Sequence, residues 1–120
     1  ETNIIFVDIH AEATSEKIAM GWYLDGKVSA VVGTHTHIPT ADEKILPKGT
    51  AYITDLGMTG PHESILGRKI DCVLKAIVTQ MPTKFEVAEK DVRINGVKIV
   101  VDSQSGKANS IKRVEIKEQD

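Results

Sequence analysis

The chain has 120 residues, of which 41% are apolar and 27% charged, and it carries a net charge of −2. This is the composition of a globular protein with a real core. Near-neutral charge without a long basic run argues against a groove for long nucleic acid, no apolar run reaches a membrane span, and the one cysteine, Cys72, makes no internal disulfide, so a cytoplasmic setting is expected.

In chain order, Ile4 to Val7 reads as a strand covered on both faces, as in the interior of a parallel sheet. Such a strand so early raises the expectation that the first half of the fold lies outside these residues. Thr14 or Ser15 is placed to cap a helix, with Glu16 near its positive end. Ile18, Ala19, Trp22 and Tyr23 recur on one helical face and are expected in the core, and Asp25-Gly26 stops the helix. Val28 to Val32 is the next strand, and strand, helix and strand together predict a parallel βαβ unit.

Ala51 to Thr54 reads as a further strand that leads into "DLGMTGP". A second helix is expected within Ser64 to Gln80, with Leu66, Ile70, Val73, Leu74 and Ile77 along one stripe and Pro82 beyond its end. The tail then alternates. "VRINGVKIVVD" predicts a hairpin turning at Asn95-Gly96, "SQSGK" a second turn, and "SIKRVEIK" another strand. The expected fold class is α/β, a parallel βαβ head followed by antiparallel strands, in a single unit. The sequence does not fix the oligomeric state, although exposed tail strands could pair between copies of the chain in a homo-oligomer.

Two strand ends carry histidine. "FVDIHAEA" gives His10, and "AVVGTHTH" gives His35 and His37. Ligands of open α/β sheets collect at the carboxyl ends of the strands, and parallel strands of one βαβ unit bring these turns to one edge. In an extended backbone His35 and His37 would point the same way, with α-carbons about 6.5–7 Å apart. That spacing serves one ion, or two ions roughly 3.5–4 Å apart, and neutral imidazole suits Mn, Fe or Zn. His-x-His alone reads equally well as loop polarity. His10 on the neighbouring strand end tilts the balance to a metal site. An amidohydrolase barrel also opens on His-x-His, but needs many more strands than this length allows.

"FVDIHAEATSEK", "GTHTHIPTAD" and "ITDLGMTGP" resemble motifs in the C-terminal half of the YmdB-like metallophosphoesterases, dinuclear-metal phosphodiesterases of the calcineurin-like superfamily. The likeness is close from residue 3 to about 82 and less distinctive in the tail. It implies that residues 1–120 are the C-terminal half of a metallophosphoesterase sandwich. It also implies that His10, His35 and His37 bind two divalent transition-metal ions, the first two on one ion and the last on the other. The remaining ligands (an Asp, a bridging Glu and an Asn) and the histidine that protonates the leaving group would come from an N-terminal half absent here. The implied chemistry is metal-assisted hydrolysis of a small phosphodiester, a 2′,3′-cyclic nucleotide cut at the 2′ bond. Backbone N–H groups of the segment with Gly57, Thr59 and Gly60 would meet the phosphate; without the resemblance this segment reads as a tight turn. The alternative is a catalytically inactive fragment that binds only metal or its partner half.

Other polar residues have simpler expected roles. Asp8 is expected to orient an imidazole or cap the turn, Glu12 to bond the Thr14-Ser15 helix entry, Thr34 and Thr36 to satisfy backbone groups, and Asp42 to support the loop after the histidines. His62 has no counterpart among the matched motifs. No residue of the chain stands out as a general acid.

Overall fold

The computed structural model describes residues 2–119. These form two compact units, one of residues up to 57 together with 95–114, the other of 58–94 together with 115 onward.

The first unit is built on a four-stranded sheet. Strand β1 is Phe6–His10, helix α1 Thr14–Leu24, β2 Ala30–Thr34, β3 Lys44–Ile45 and β4 Ala51–Ile53. The order is β1-β2-β4-β3, with β1, β2 and β4 parallel and β3 antiparallel to β4. The βαβ unit is therefore formed as the sequence predicts. Its register sets Asp8 beside Val32 and His10 beside Thr34, so β1 and β2 end level. The core lies on the two central strands. Ala30 and Ala51 face Ala108, Ile99 and Ile111, and their neighbours Val31 and Tyr52 face Leu46, Val7, Ile9, Leu24 and Val28, as strand alternation requires.

Strand β1 corrects one expectation. Ile4, Ile5 and Phe6 are exposed, because β1 stands at the edge of the sheet with β2 as its one neighbour among the described residues. Strand β2 also begins two residues later than expected, and so runs up to the histidine turn itself.

Helix α1 is a second correction. Its buried residues are Lys17 and Gly21, whereas Trp22 and Tyr23 are 52% and 70% exposed. The helix meets the sheet through its smallest residue: a Cβ at Gly21 would lie 2.6 Å from the Tyr52 ring. That close approach rotates the aromatic residues outward, where Lys27 sits 4.3 Å above the Tyr23 ring and Lys44 5.8 Å above Trp22. Neither Thr14 nor Ser15 caps the helix; Ala13 holds the cap position without a side-chain bond. The predicted stop does hold, with Asp25 at the C-cap and Gly26 at φ +81°.

Strands β6 (Val92–Val101) and β7 (Ala108–Lys117) form a hairpin, but not around Asn95-Gly96. Those residues lie inside β6, and the chain turns at 102–107, the second predicted turn. Asp102 Oδ1 accepts from the N–H groups of Gln104 (3.1 Å) and Ser105 (2.7 Å), and Gly106 takes φ +72°. This local Asx chemistry closes the turn. The strands are antiparallel, since Asp102 N–H bonds Lys107 O at one end and Glu118 N–H bonds Val92 O at the other.

In the second unit β5, Gly60–Pro61, pairs antiparallel with the start of β6. Helix α2, Ile70–Thr79, ends at Gln80 with φ 55°. Within the expected stripe only Val73 is buried; Ile70, Leu74 and Ile77 are exposed, and Leu66 precedes the helix. Among the described residues no helix is long and apolar enough to cross a membrane.

These placements separate the glycines by consequence. In urea unfolding of the full-length protein, Gly21→Ala should cost about 1–3 kcal/mol, the usual scale of overpacking. Gly33→Ala should cost more, because its Cβ would fall 1.7 Å from the Thr54 carbonyl oxygen, a backbone atom that cannot swing aside. Gly96→Ala should be neutral or stabilising by roughly 0.4–1 kcal/mol, since a Cβ there meets nothing within 4 Å. A marked loss at Gly96 would restore the type I′ turn.

Candidate metal centre

Because β1 and β2 end level, the last residue of β1 and the first residue after β2 stand side by side. His10 Nε2 lies 3.0 Å from His35 Nδ1, with the rings edge to face at 4.8 Å between centroids. Both histidines are exposed and accessible to a ligand.

The turn that presents His35 is not extended. His35 has φ 110° and His37 φ 68°, so the expected same-side projection and strand spacing of these two residues do not apply. Left-handed backbone at non-glycine residues costs on the order of 1–3 kcal/mol each and persists only where surrounding structure enforces it. Here the enforcement is a buried ion pair. Lys17 Nζ lies 2.9 Å from Asp55 Oδ2, with the two side chains 0% and 1% exposed. Lys17 also donates to Thr34 O at 2.8 Å, and Asp55 Oδ2 accepts from Thr36 N–H at 3.0 Å. The pair thus grips the backbone on both sides of His35. Gly57 N–H donates to the other carboxylate oxygen at 2.9 Å, and Leu56 N–H bonds Gly33 O at 2.9 Å.

Burial opposes the charge on Asp55, but the Lys17 ammonium and the N–H groups of Gly57 and Thr36 outweigh it and hold the carboxyl below its usual range. Asp42 behaves similarly. Burial works against its ionised form, and the Thr40 hydroxyl at 2.6 Å, the Thr54 hydroxyl and the Thr54 N–H at 3.1 Å prevail. Asp42 thereby ties the loop after the histidines to the end of β4, the supporting role expected of it. Lys17 and Asp55 were not singled out by sequence, because a lone Lys or Asp is exposed by default. Their one signal is position: Lys17 falls one turn into α1, and Asp55 lies two residues past the end of the buried strand β4.

The other nitrogens of the two rings are also engaged. His10 Nδ1 is 3.0 Å from Thr34 Oγ1, and that hydroxyl donates to Asp8 Oδ1 at 2.7 Å. Asp8 therefore reaches His10 through Thr34. His35 Nε2 lies 2.8 Å from Glu12 Oε2, so Glu12 turns to the histidine rather than to the helix entry predicted for it.

Two imidazole nitrogens each about 2.0–2.1 Å from one ion stand roughly 2.9–3.4 Å apart, so the spacing of His10 and His35 fits one shared cation. His37 is not gathered with them: among the described residues no group of three or more His, Cys, Asp or Glu comes together to hold a metal ion. Of the loop residues, Gly57 has its N–H committed to Asp55, and Gly60 pairs with Arg93 in β5. His62, in the second unit, contacts Met58 O at 3.2 Å.

A family model described as YmdB-like protein matches residues 1–114. The chain belongs to the YmdB-like family. It is 58% identical over 113 residues to a Bacillus subtilis (strain 168) protein named 2′,3′-cyclic-nucleotide 2′-phosphodiesterase, a match that takes in 94% of this chain and 43% of the relative. Two crystal structures share its fold. A hypothetical protein from Thermus thermophilus superposes with a TM-score of 0.92 at 42% identity, over 99% of this chain and 46% of that one. A Mycoplasma pneumoniae protein described as a novel phosphatase also gives 0.92, at 40% identity, over 98% of this chain and 42% of that one. The chain thus spans less than half the length of these relatives.

The buried pair makes a stability prediction. Lys17→Met should destabilise the full-length protein by about 3–5 kcal/mol in urea unfolding, because it strands the Asp55 carboxylate without its partner. A loss near zero would show that the pair does not hold the turn. Acid should act in the same direction. The lowered pKa of Asp42 contributes stability above the ordinary carboxylate value near pH 4, and this is lost as pH falls through the lowered value. Asp42→Asn should flatten that part of the acid-unfolding curve followed by circular dichroism, with a smaller difference from wild type at low pH than at pH 7.

Proposed function

We propose that these residues are the C-terminal part of a metal-dependent phosphodiesterase whose other ligands lie in a part of the protein beyond them. The observation that carries this reading is the pair of imidazole nitrogens, His10 Nε2 and His35 Nδ1, facing each other at 3.0 Å across the ends of two parallel strands. Histidine ligands suit Mn, Fe or Zn. Bound divalent ions supply an activated water and neutralise charge on a phosphate.

In this reading His10 and His35 serve one ion and His37 a second, as the family resemblance implies. The left-handed turn fixes where His35 and His37 begin, and Lys17 and Asp55 hold that turn while the reaction proceeds. Glu12, Thr34 and Asp8 orient the imidazoles. In the segment with Gly57, Thr59 and Gly60, the Gly57 N–H is already held by Asp55 and Gly60 is paired with Arg93, so neither glycine adds support to the phosphate contact that the resemblance implies. No side chain of this chain is assigned as the general acid. The substrate class, a small phosphodiester such as a 2′,3′-cyclic nucleotide, is supported by the name of the Bacillus subtilis relative.

In the full-length protein, His10→Ala, His35→Ala and His37→Ala should each lower 2′,3′-cyclic AMP hydrolysis by at least about 100-fold, and chelation should abolish it until Mn²⁺ is returned. Near-wild-type turnover in His35→Ala would refute the ligand assignment. Residues 1–120 alone should show no turnover and only weak metal binding, because no cluster of three such ligands comes together among the described residues. Robust hydrolysis by the isolated chain would refute the proposal that further ligands lie elsewhere.

A further inference from the structure

The hydrogen-bond pattern around the two histidines goes further than naming ligands, because it specifies which nitrogen of each ring is available. A carboxylate only accepts, and a threonine hydroxyl has one proton to give. Thr34 Oγ1 gives that proton to Asp8 Oδ1 at 2.7 Å. Its oxygen must then accept from His10 Nδ1, 3.0 Å away. His10 therefore carries its proton on Nδ1, and its lone pair is on Nε2. At His35 the carboxylate of Glu12 lies 2.8 Å from Nε2 and draws the proton to that nitrogen, leaving Nδ1 as the donor atom to a cation. The two freed positions, Nε2 of His10 and Nδ1 of His35, are the atoms that face each other at 3.0 Å. Two bare lone pairs repel at that distance. A proton or a metal ion between them is what makes the arrangement favourable.

We infer that Glu12 and the Thr34–Asp8 pair are positioning residues for the metal proposed above, presenting His35 through Nδ1 and His10 through Nε2. The two carboxylates reach different rings by different routes: Asp8 reaches His10 through the Thr34 hydroxyl, and Glu12, from the turn after β1, meets His35 directly. Each fixes a ring rotation and a tautomer, and each raises the basicity of the ligating nitrogen. Glu12 suits the task because its side chain is 82% exposed, with its carboxylate 2.8 Å from His35 Nε2. It supports no part of the core.

The inference rests on the metal-binding reading, and the test separates the two. In the full-length protein, Mn²⁺ affinity is measured by calorimetry for wild type, His35→Ala, Glu12→Ala, Glu12→Gln and Thr34→Val. Glu12→Ala and Thr34→Val should each weaken one ion about 10–100-fold, the usual scale for such supporting partners. Glu12→Gln, whose amide oxygen still accepts from Nε2–H, should fall between Glu12→Ala and wild type. The thermal midpoint of metal-free Glu12→Ala should match wild type, which a merely structural role would not predict for a variant with impaired binding. Nitrogen-15 spectra of the zinc-loaded protein should show the ion on Nδ1 of His35 and Nε2 of His10. Wild-type affinity in Glu12→Ala and Thr34→Val, with His35→Ala impaired, would overturn this inference alone, as would zinc on Nε2 of His35. Wild-type affinity in His35→Ala would overturn the metal-binding reading and this inference with it.

Discussion

The buried contact between Lys17 and Asp55 is the constraint on which the histidine turn depends. Removing both charges from water is costly, and a buried ion pair is acceptable only where geometry and additional hydrogen bonds compensate. Here they do. Lys17 bonds a backbone carbonyl as well as the carboxylate, and Asp55 bonds two backbone N–H groups as well as the ammonium. The residues bonded are Thr34, Thr36 and Gly57, two of which flank His35. A pair that served stability alone could have sat anywhere in the core. This one holds a strained backbone in one conformation, which is what the proposed metal site would need of its ligands.

The same pair explains why α1 meets the sheet as it does. Lys17 and Gly21 are four residues apart and so share one helical face. Lys17 must reach the ends of β2 and β4, and Gly21 allows the helix to come close enough for it to do so. Gly33, on the strand below, repeats the device: it has no Cβ where the Thr54 carbonyl oxygen and the Lys17 side chain converge. Two glycines and one lysine thus form a compact joint between helix and sheet. Trp22 and Tyr23 are left to solvent and to the lysines above their rings.

Around this joint the polar residues divide by depth. Asp55 and Lys17 are buried and act on the backbone, whereas Asp8, Glu12 and Thr34 lie nearer the surface and act on imidazoles. The deeper layer determines where the histidines begin, and the outer layer determines how their rings turn. Accuracy at the ring nitrogens therefore rests on two successive sets of hydrogen bonds.

The sequence by itself determined the parallel βαβ unit, the class of the fold and the meeting of His10 with the His35 turn. These follow from alternation and helical periodicity, which are local, and from the rule that parallel strands joined by one helix end on the same side. It also supported the second tail turn, because Asp102 and Gly106 act on their immediate neighbours. Tertiary structure alone decided the rest. Which face of α1 is buried depended on the fit of Gly21 to Tyr52, a residue far along the chain. Asn95-Gly96, a strong turn pair in isolation, was overridden because β6 runs on through it as one strand of the hairpin with β7. The left-handed conformation of His35 was illegible, since the backbone on both sides of it is held by Lys17 and Asp55, whose importance comes from burial. The partnership of Glu12 with His35 was hidden for the same reason: a charged side chain chooses among several acceptable neighbours, and only the folded chain shows which of them is within reach.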